Sequence, residues 1–227
     1  MTIIKDVVNL WKAEDLLSQA WNRSYEMMEL SREIFNQAVI YLRNGENIET
    51  LIALKKRDRE INAFQQEVRR KVLTHYSVEQ KTSNMVNGLI LINMVVDIER
   101  IGDYSKNILD LAINFPEKII SEEISEDLHL IENEVKLRFD KTLEAIHTQD
   151  SDLAQSLMQG YKENITQKSD QIVNNIINGK LEYSSTPKTA SISLYARYLK
   201  RIGAHLKNIT TTIVNPFEYI GYKPPHN

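Results

Sequence analysis

The strongest constraint in this sequence is a period. Apolar residues recur at three- and four-residue steps along most of the chain, and period-two alternation is not sustained anywhere. Such a pattern specifies amphipathic helices, each burying one stripe. The breaks are few. Asn44-Gly45 ends the first helix, and Asn47 is placed to cap the next. Further breaks fall near His75 to Lys81, at Asn114-Phe115-Pro116, at Thr148-Gln149-Asp150 with Asp150 as a cap, and from Gly179 to Pro187. Six helices are therefore predicted, over 3–43, 47–74, 83–113, 122–147, 151–178 and 188–214, followed by an irregular tail, NPFEYIGYKPPHN. With 7 glycines and 5 prolines in 227 residues, both are scarce against a usual share of about 7% and 5%. A many-stranded β protein and a glycine-rich phosphate loop would both need more.

Helices this long, joined by short connections, suit antiparallel bundles, and three is a sensible minimum to enclose a core. The chain also repeats. Residues 97–108 read Asp-Ile-Glu-Arg-Ile-Gly-Asp-Tyr-Ser-Lys-Asn-Ile, and residues 198–209 read Tyr-Leu-Lys-Arg-Ile-Gly-Ala-His-Leu-Lys-Asn-Ile. At an offset of 101 the Arg-Ile-Gly and Lys-Asn-Ile triplets coincide. Each copy lies near the end of the third helix of a set of three. The expected fold is all-α: two tandem three-helix bundles of six long antiparallel helices, the first over 1–116 and the second over 117–227 with the tail.

Around the helical wheel Met85, Ile92, Val96, Glu99, Asp103 and Asp110 fall within about 60° of one another. The stripe begins apolar and turns acidic, which predicts an inward-facing carboxylate pair at Glu99 and Asp103. Like charges one turn apart repel, and burying them is costly. A cation must meet them: Arg100 or Lys106, a proton, or a metal ion. Two such carboxylates are half of a site for a divalent cation or iron. Asp58 and Asn62, at the same spacing on helix two, flank a stripe of Leu51, Leu54, Ile61, Gln65 and Val68 and are placed to complete it. Gly102 is read as a point of close helix approach, since glycine inside a helix otherwise costs about 1 kcal/mol.

The doubled string resembles the signature of the PhoU family of phosphate-transport regulators, in which a Glu-x-x-x-Asp motif lies within a Leu-Glu-Arg-Ile-Gly-Asp-like sequence and occurs twice. The resemblance spans nearly the whole chain. It implies a two-bundle fold, multinuclear metal sites on the bundle surface, and a non-catalytic protein that contacts a phosphate transporter component, a sensor kinase, or both. Carried over residue by residue, the ligands are Glu99, Asp103 and, less directly, Asp58. The second repeat departs: Lys200 and Ala204 stand where the family has glutamate and aspartate, Arg197 matches Val96, and Thr211 matches Asp110. One metal-competent bundle at most is expected. Arg197, Lys200, Arg201 and Lys207, with His205 alongside, form a basic face. It is a candidate surface for an anion, an acidic partner or a second protomer, set against a plain solvated stripe. Glu163 and Gln167 on helix five are at most a remnant of a ligand pair.

Composition narrows the functional classes. Lys and Arg total 28 against 31 Asp and Glu, a formal charge of −3, so bulk electrostatics give no reason for nucleic-acid binding. There is no cysteine, which removes disulfides, thiolate metal sites and cysteine nucleophiles. No stretch reads as a signal peptide or a membrane span, and the expected location is the cytoplasm. Glu126-x-x-His129 and Glu144-x-x-His147 match the element of di-iron carboxylate bundles, but both lie on helix four, about 27 Å apart. No nucleophile, zinc or phosphate-loop motif is present, and no enzyme is expected. Trp11 and Trp21 mark an amphipathic N-terminal stretch suited to core packing or docking, and Phe217, Tyr219, Ile220 and Tyr222 are ambiguous in the same way. A homodimer is expected from the elongated apolar seams of paired bundles. The leading reading is a regulator that binds partner proteins, with a metal site in its first bundle; the alternatives are a metal-carboxylate oxidase and a metal-free helical scaffold.

Overall fold

The structure is a computed structural model and describes residues 15–79, 85–115 and 126–222. Every regular element among them is helical, and the long rods follow the predicted order. The boundary at 116–117 and the first 14 residues, Trp11 included, lie outside the described residues.

Helix α1, Leu16–Asn44, starts at Asp15, whose carboxylate accepts from the Ser18 N–H. It ends at Gly45, where φ is 76°, a conformation that costs other residues 1 kcal/mol or so. The second rod is broken in two, α2 Ile48–Lys56 and α3 Asp58–Glu79, by a turn at Arg57. Asn47 caps α2 as expected, accepting from Thr50 N–H at 2.8 Å. Helix α3 runs past His75 to Glu79, beyond the predicted end. Helix α4 covers Met85–Asn114 and α5 Glu126–Thr148. Asp150 then caps α6, Ser151–Met158, by accepting from the N–H groups of Asp152 and Leu153.

The fifth rod departs most from expectation. It breaks at Gln159-Gly160, where Gly160 has φ 68°, continues as a wide π turn over Lys162–Gln167, and resumes as α7, Lys168–Ile177. The break is held by Arg138 of α5. Its side chain is 7% exposed, and it donates to the carbonyls of Leu157 and Gln159 while pairing with Glu134 at 2.8 Å. A cation placed on the last carbonyls of α6 satisfies groups that a helix end leaves unpaired. Helix α8, Thr186–Val214, is capped by Ser185. The tail forms one 3₁₀ turn, Phe217–Tyr219, pinned by Asn215 donating to the carbonyls of Tyr219 and Tyr222.

Helices α1, α3 and α4 form one bundle; α5, the α6–α7 rod and α8 form the other. The two lie side by side along two antiparallel seams. In the first, α1 runs along α5: Tyr25 meets His147, Phe35 stacks on Phe139 at 5.9 Å, and Arg43 reaches His129. In the second, α4 runs along α8. Tyr104 stacks on His205 at 5.9 Å, and these two residues are equivalent at the repeat offset of 101. Asp97 pairs with His205 at 2.7 Å and accepts from Asn208. The equivalent contact with the halves exchanged is Tyr198 against Tyr104, ring centroids 6.1 Å apart. The seams therefore relate the bundles by an approximate two-fold axis, and one continuous apolar core runs through both.

That second seam corrects the predicted inward stripe of α4. Helix α4 is covered on several sides, and its buried residues are Asn87, Gly88, Ile90, Leu91, Met94, Val95, Ile98, Ile101, Gly102, Ser105, Ile108 and Leu109. Met85 is 44% exposed, and Ile92, Val96, Glu99, Asp103 and Asp110 lie on the half-buried flank. A helix buried over a broad arc has no single apolar stripe, so choosing the stripe that ends in carboxylates rotated the face outward.

Candidate functional site: an acidic groove filled by lysine

The stripe on helices two and three is buried as expected, with Leu51, Leu54, Ile61 and Val68 all in the core. Gln65 donates to the Val95 carbonyl across the α3–α4 contact. Gly102 sits where these helices touch: a Cβ there would lie 2.8 Å from Ile61 Cδ1 and 3.8 Å from Asp58 Oδ1. The second bundle repeats this, Gly203 facing Ile165 with Ser169 donating to the Ala196 carbonyl. The close-approach role read for Gly102 holds in both copies.

This contact brings Asp58, at the first residue of α3, against the flank of α4 that carries Glu99 and Asp103. Side-chain exposures are 16% for Asp58, 19% for Glu99 and 31% for Asp103. The three carboxylates share one groove, and two cations of α4 lie among them. The Lys106 ammonium donates to Asp58 Oδ2 and to Asp103 Oδ1, both at 3.0 Å. Arg100 donates to Asp103 at 3.1 Å and lies 3.6 Å from Glu99. Asn62 reaches the same Asp58 oxygen at 3.4 Å.

The charge balance is incomplete. Burial, then the neighbouring Asp103, raise the Glu99 pKa above the usual glutamate value, with Arg100 opposing. Asp58 Oδ1 is buried without a hydrogen-bond partner. Burial alone would lower the Lys106 pKa, but its bonds to Asp58 and Asp103 more than reverse that, and the ammonium stays charged. The orphaned Asp58 oxygen is the one feature that suits an added cation. The donor set as arranged does not: among the described residues no three His, Asp or Glu side chains converge as a metal-holding group. The point between Asp58 and Asp103 carries an ammonium.

The equivalent groove of the second bundle is closed differently. The ring of Tyr161 packs on Gly203, 3.4 Å from where a Cβ would be. Arg138 and Lys207 approach that ring at 5.8 and 5.6 Å, and burial raises the tyrosine pKa. Lys200 donates to both oxygens of Asp170, at 2.6 and 2.7 Å, and Arg197 joins them at 3.1 Å. Arg201 donates to the Tyr104 hydroxyl across the α4–α8 seam. All four residues of the predicted basic face are thus engaged within the chain. Glu163 and Gln167 are exposed. Asp170 and Tyr161 were missed from the sequence; for Asp170 the available signal was Lys200 itself, since a half-buried lysine needs an acid on the facing helix.

The histidines of the two Glu-x-x-His elements are seam residues, while Glu126 and Glu144 are exposed. His129 contacts Arg43, and His147 packs against Tyr25, both across α1–α5. Trp21 is 4% exposed and belongs to the core.

A tandem pair of three-helix bundles, each with a glycine contact between its second and third helices and a charged flank beside it, defines an all-helical repeat protein. The PhoU domain model matches residues 24–112 and 128–213. The chain belongs to the PhoU family, whose members regulate phosphate transport and are not enzymes. The fold is similar to the crystal structure of PhoU from Pseudomonas aeruginosa, at 21% identity and a TM-score of 0.73, covering 88% of this chain and 95% of that one. It is similar also to the phosphate transport system regulatory protein PhoU from Streptococcus pneumoniae, at 18% identity and a TM-score of 0.73, covering 87% and 93%. A search of curated proteins found no sequence match. Along the α1–α5 seam, exchanging the halves at an offset of 104 carries the Tyr25–His147 contact onto that of His129 with Arg43, and Phe35–Phe139 onto itself. The stacked phenylalanines are therefore equivalent residues facing one another on the approximate axis.

Proposed function

We propose that this protein restrains phosphate uptake or phosphate signalling by docking on a phosphate-transporter component, a sensor kinase, or both. The observation that carries this reading is the pair of PhoU repeats, which together span most of the chain. Docking acts by occupancy: a helical surface that binds one state of its partner better than the other shifts the partner toward that state, and only by that difference in affinity. A cytoplasmic location and a homodimer belong to the same reading. It is consistent with the helices, none of which, among the described residues, is long and apolar enough to cross a membrane. A bound divalent ion or iron at Glu99, Asp103 and Asp58 is not required for it.

The test is genetic. Deletion of the gene is expected to derepress phosphate-starvation reporters in phosphate-replete medium, with restoration by the full-length chain. A reporter that stays silent in the deletion strain removes the pathway from the reading.

A further inference from the structure

The groove between α3 and α4 holds three carboxylates from two helices, and its middle is taken by a side chain of the protein. Lys106 Nζ stands at 3.0 Å from Asp58 and 3.0 Å from Asp103. It bridges α3 to α4 as an ion between two helices would. An ammonium supplies three donors and one positive charge. It is tethered, so filling the site costs no binding entropy from solution. The second bundle reaches the same end by other residues, with Lys200 on both oxygens of Asp170 where the family pattern has an acid.

We propose that Lys106 is the resident counter-ion of the first bundle's acidic groove, holding the place between Asp58 and Asp103, so that the chain folds without a divalent metal and binds one only by displacing that lysine. The consequence is a competition. Removing the ammonium leaves Asp58, Glu99 and Asp103 with Arg100 alone, and 54% of the Arg100 side chain is in solvent. Carboxylates left in that state repel one another and attract any available dication. Lysine replacement should therefore create a metal dependence that the wild type lacks. The inference concerns ion binding by the isolated chain and stands or falls independently of the phosphate pathway.

The test uses the full-length chain stripped with chelator, with Mn2+ as the probe, read by equilibrium dialysis and by thermal unfolding. In the wild type the unfolding midpoint is expected to be the same with and without Mn2+. Lys106→Met is expected to unfold at a lower temperature in metal-free buffer, to recover on addition of Mn2+, and to bind Mn2+ at least ~10-fold more tightly than the wild type. Lys106→Gln, which keeps a polar side chain in the groove, provides the same reading should the methionine variant fail to fold. Adding Asp103→Asn to either variant is expected to abolish the response. Two results overturn the proposal: a wild type that holds Mn2+ through dialysis and is stabilised by it, or Lys106 variants that bind Mn2+ no better than the wild type.

Discussion

Gly88 and Glu67 show how much of this fold is decided by single side chains. A Cβ at Gly88 would lie 2.5 Å from Cε2 and 2.7 Å from the hydroxyl of Tyr76, whose ring cannot fold away as an alkyl tip can. Overpacking of that kind costs about 1–3 kcal/mol, against roughly 1 kcal/mol returned by alanine's helix preference. Gly88→Ala is therefore expected to lower the urea midpoint, by up to about 2 kcal/mol in stability. Glu67 pairs with Arg23 at 2.8 Å, and the bond to Arg23 holds its carboxyl below the usual glutamate range, with burial opposing. The pair is more than a third exposed on the arginine side, so its worth is about 0.2–1 kcal/mol. A depressed folded value means the unfolded chain takes up the proton first as pH falls. Glu67→Gln is expected to cost that amount at neutral pH, and the difference from wild type is expected to vanish in acid, as the wild-type carboxylate titrates through its lowered value. Denaturant titration at several pH values measures both. The close-approach role of Gly102 was legible in the sequence because an interior helical glycine is unfavourable without a reason. Tyr161 was not legible, because its place depends on a break in the rod that no run of residues announces.

Among elements, the caps were readable and the interruptions were not. Asn47 and Asp150 are short polar residues directly before apolar-periodic runs, and both accept from the first turn of the helix that follows. Asp150→Ala is expected to destabilise by about 1 kcal/mol. Thermal unfolding checks this, with Asp150→Asn as a control that retains most of the capping. The turn at Arg57 and the wide turn over Lys162–Gln167 fall inside continuous apolar periods, where the pattern of buried residues resumes in phase. The break at Gln159-Gly160 also depends on Arg138, a residue of another helix, so its signal is tertiary. Arg138→Met is expected to leave the carbonyls of Leu157 and Gln159 without a donor, at about 1–3 kcal/mol each where water cannot replace it. Proteolysis at the α6–α7 connection should appear before cleavage elsewhere in the second bundle. Protection equal to wild type there would mean that Arg138 does not hold the break. The inward stripe of α4 was misread for a related reason: the second seam buries a face that a lone bundle would leave in water.

At the scale of the whole molecule, the two bundles share one core and two seams, so they should respond together. Both tryptophans, Trp11 and Trp21, stand near the N-terminus, and Trp21 is packed in the first bundle. Leu206, 1% exposed in α8, belongs to the second. Leu206→Ala is expected to cost about 2–5 kcal/mol and to lower the midpoint seen by tryptophan fluorescence by as much as that seen by circular dichroism. Separate midpoints would show that the halves unfold independently. The stacked Phe35 and Phe139, equivalent residues meeting on the axis, have a further consequence for what each half can carry. In a symmetric pair of identical subunits every mutation is suffered twice, and a lysine arriving where an acid had been would appear on both sides at once. Two halves joined in one polypeptide are free of that obligation. Each side need only suit its neighbour, and equivalent positions differ accordingly: Glu99 in one half, Lys200 in the other.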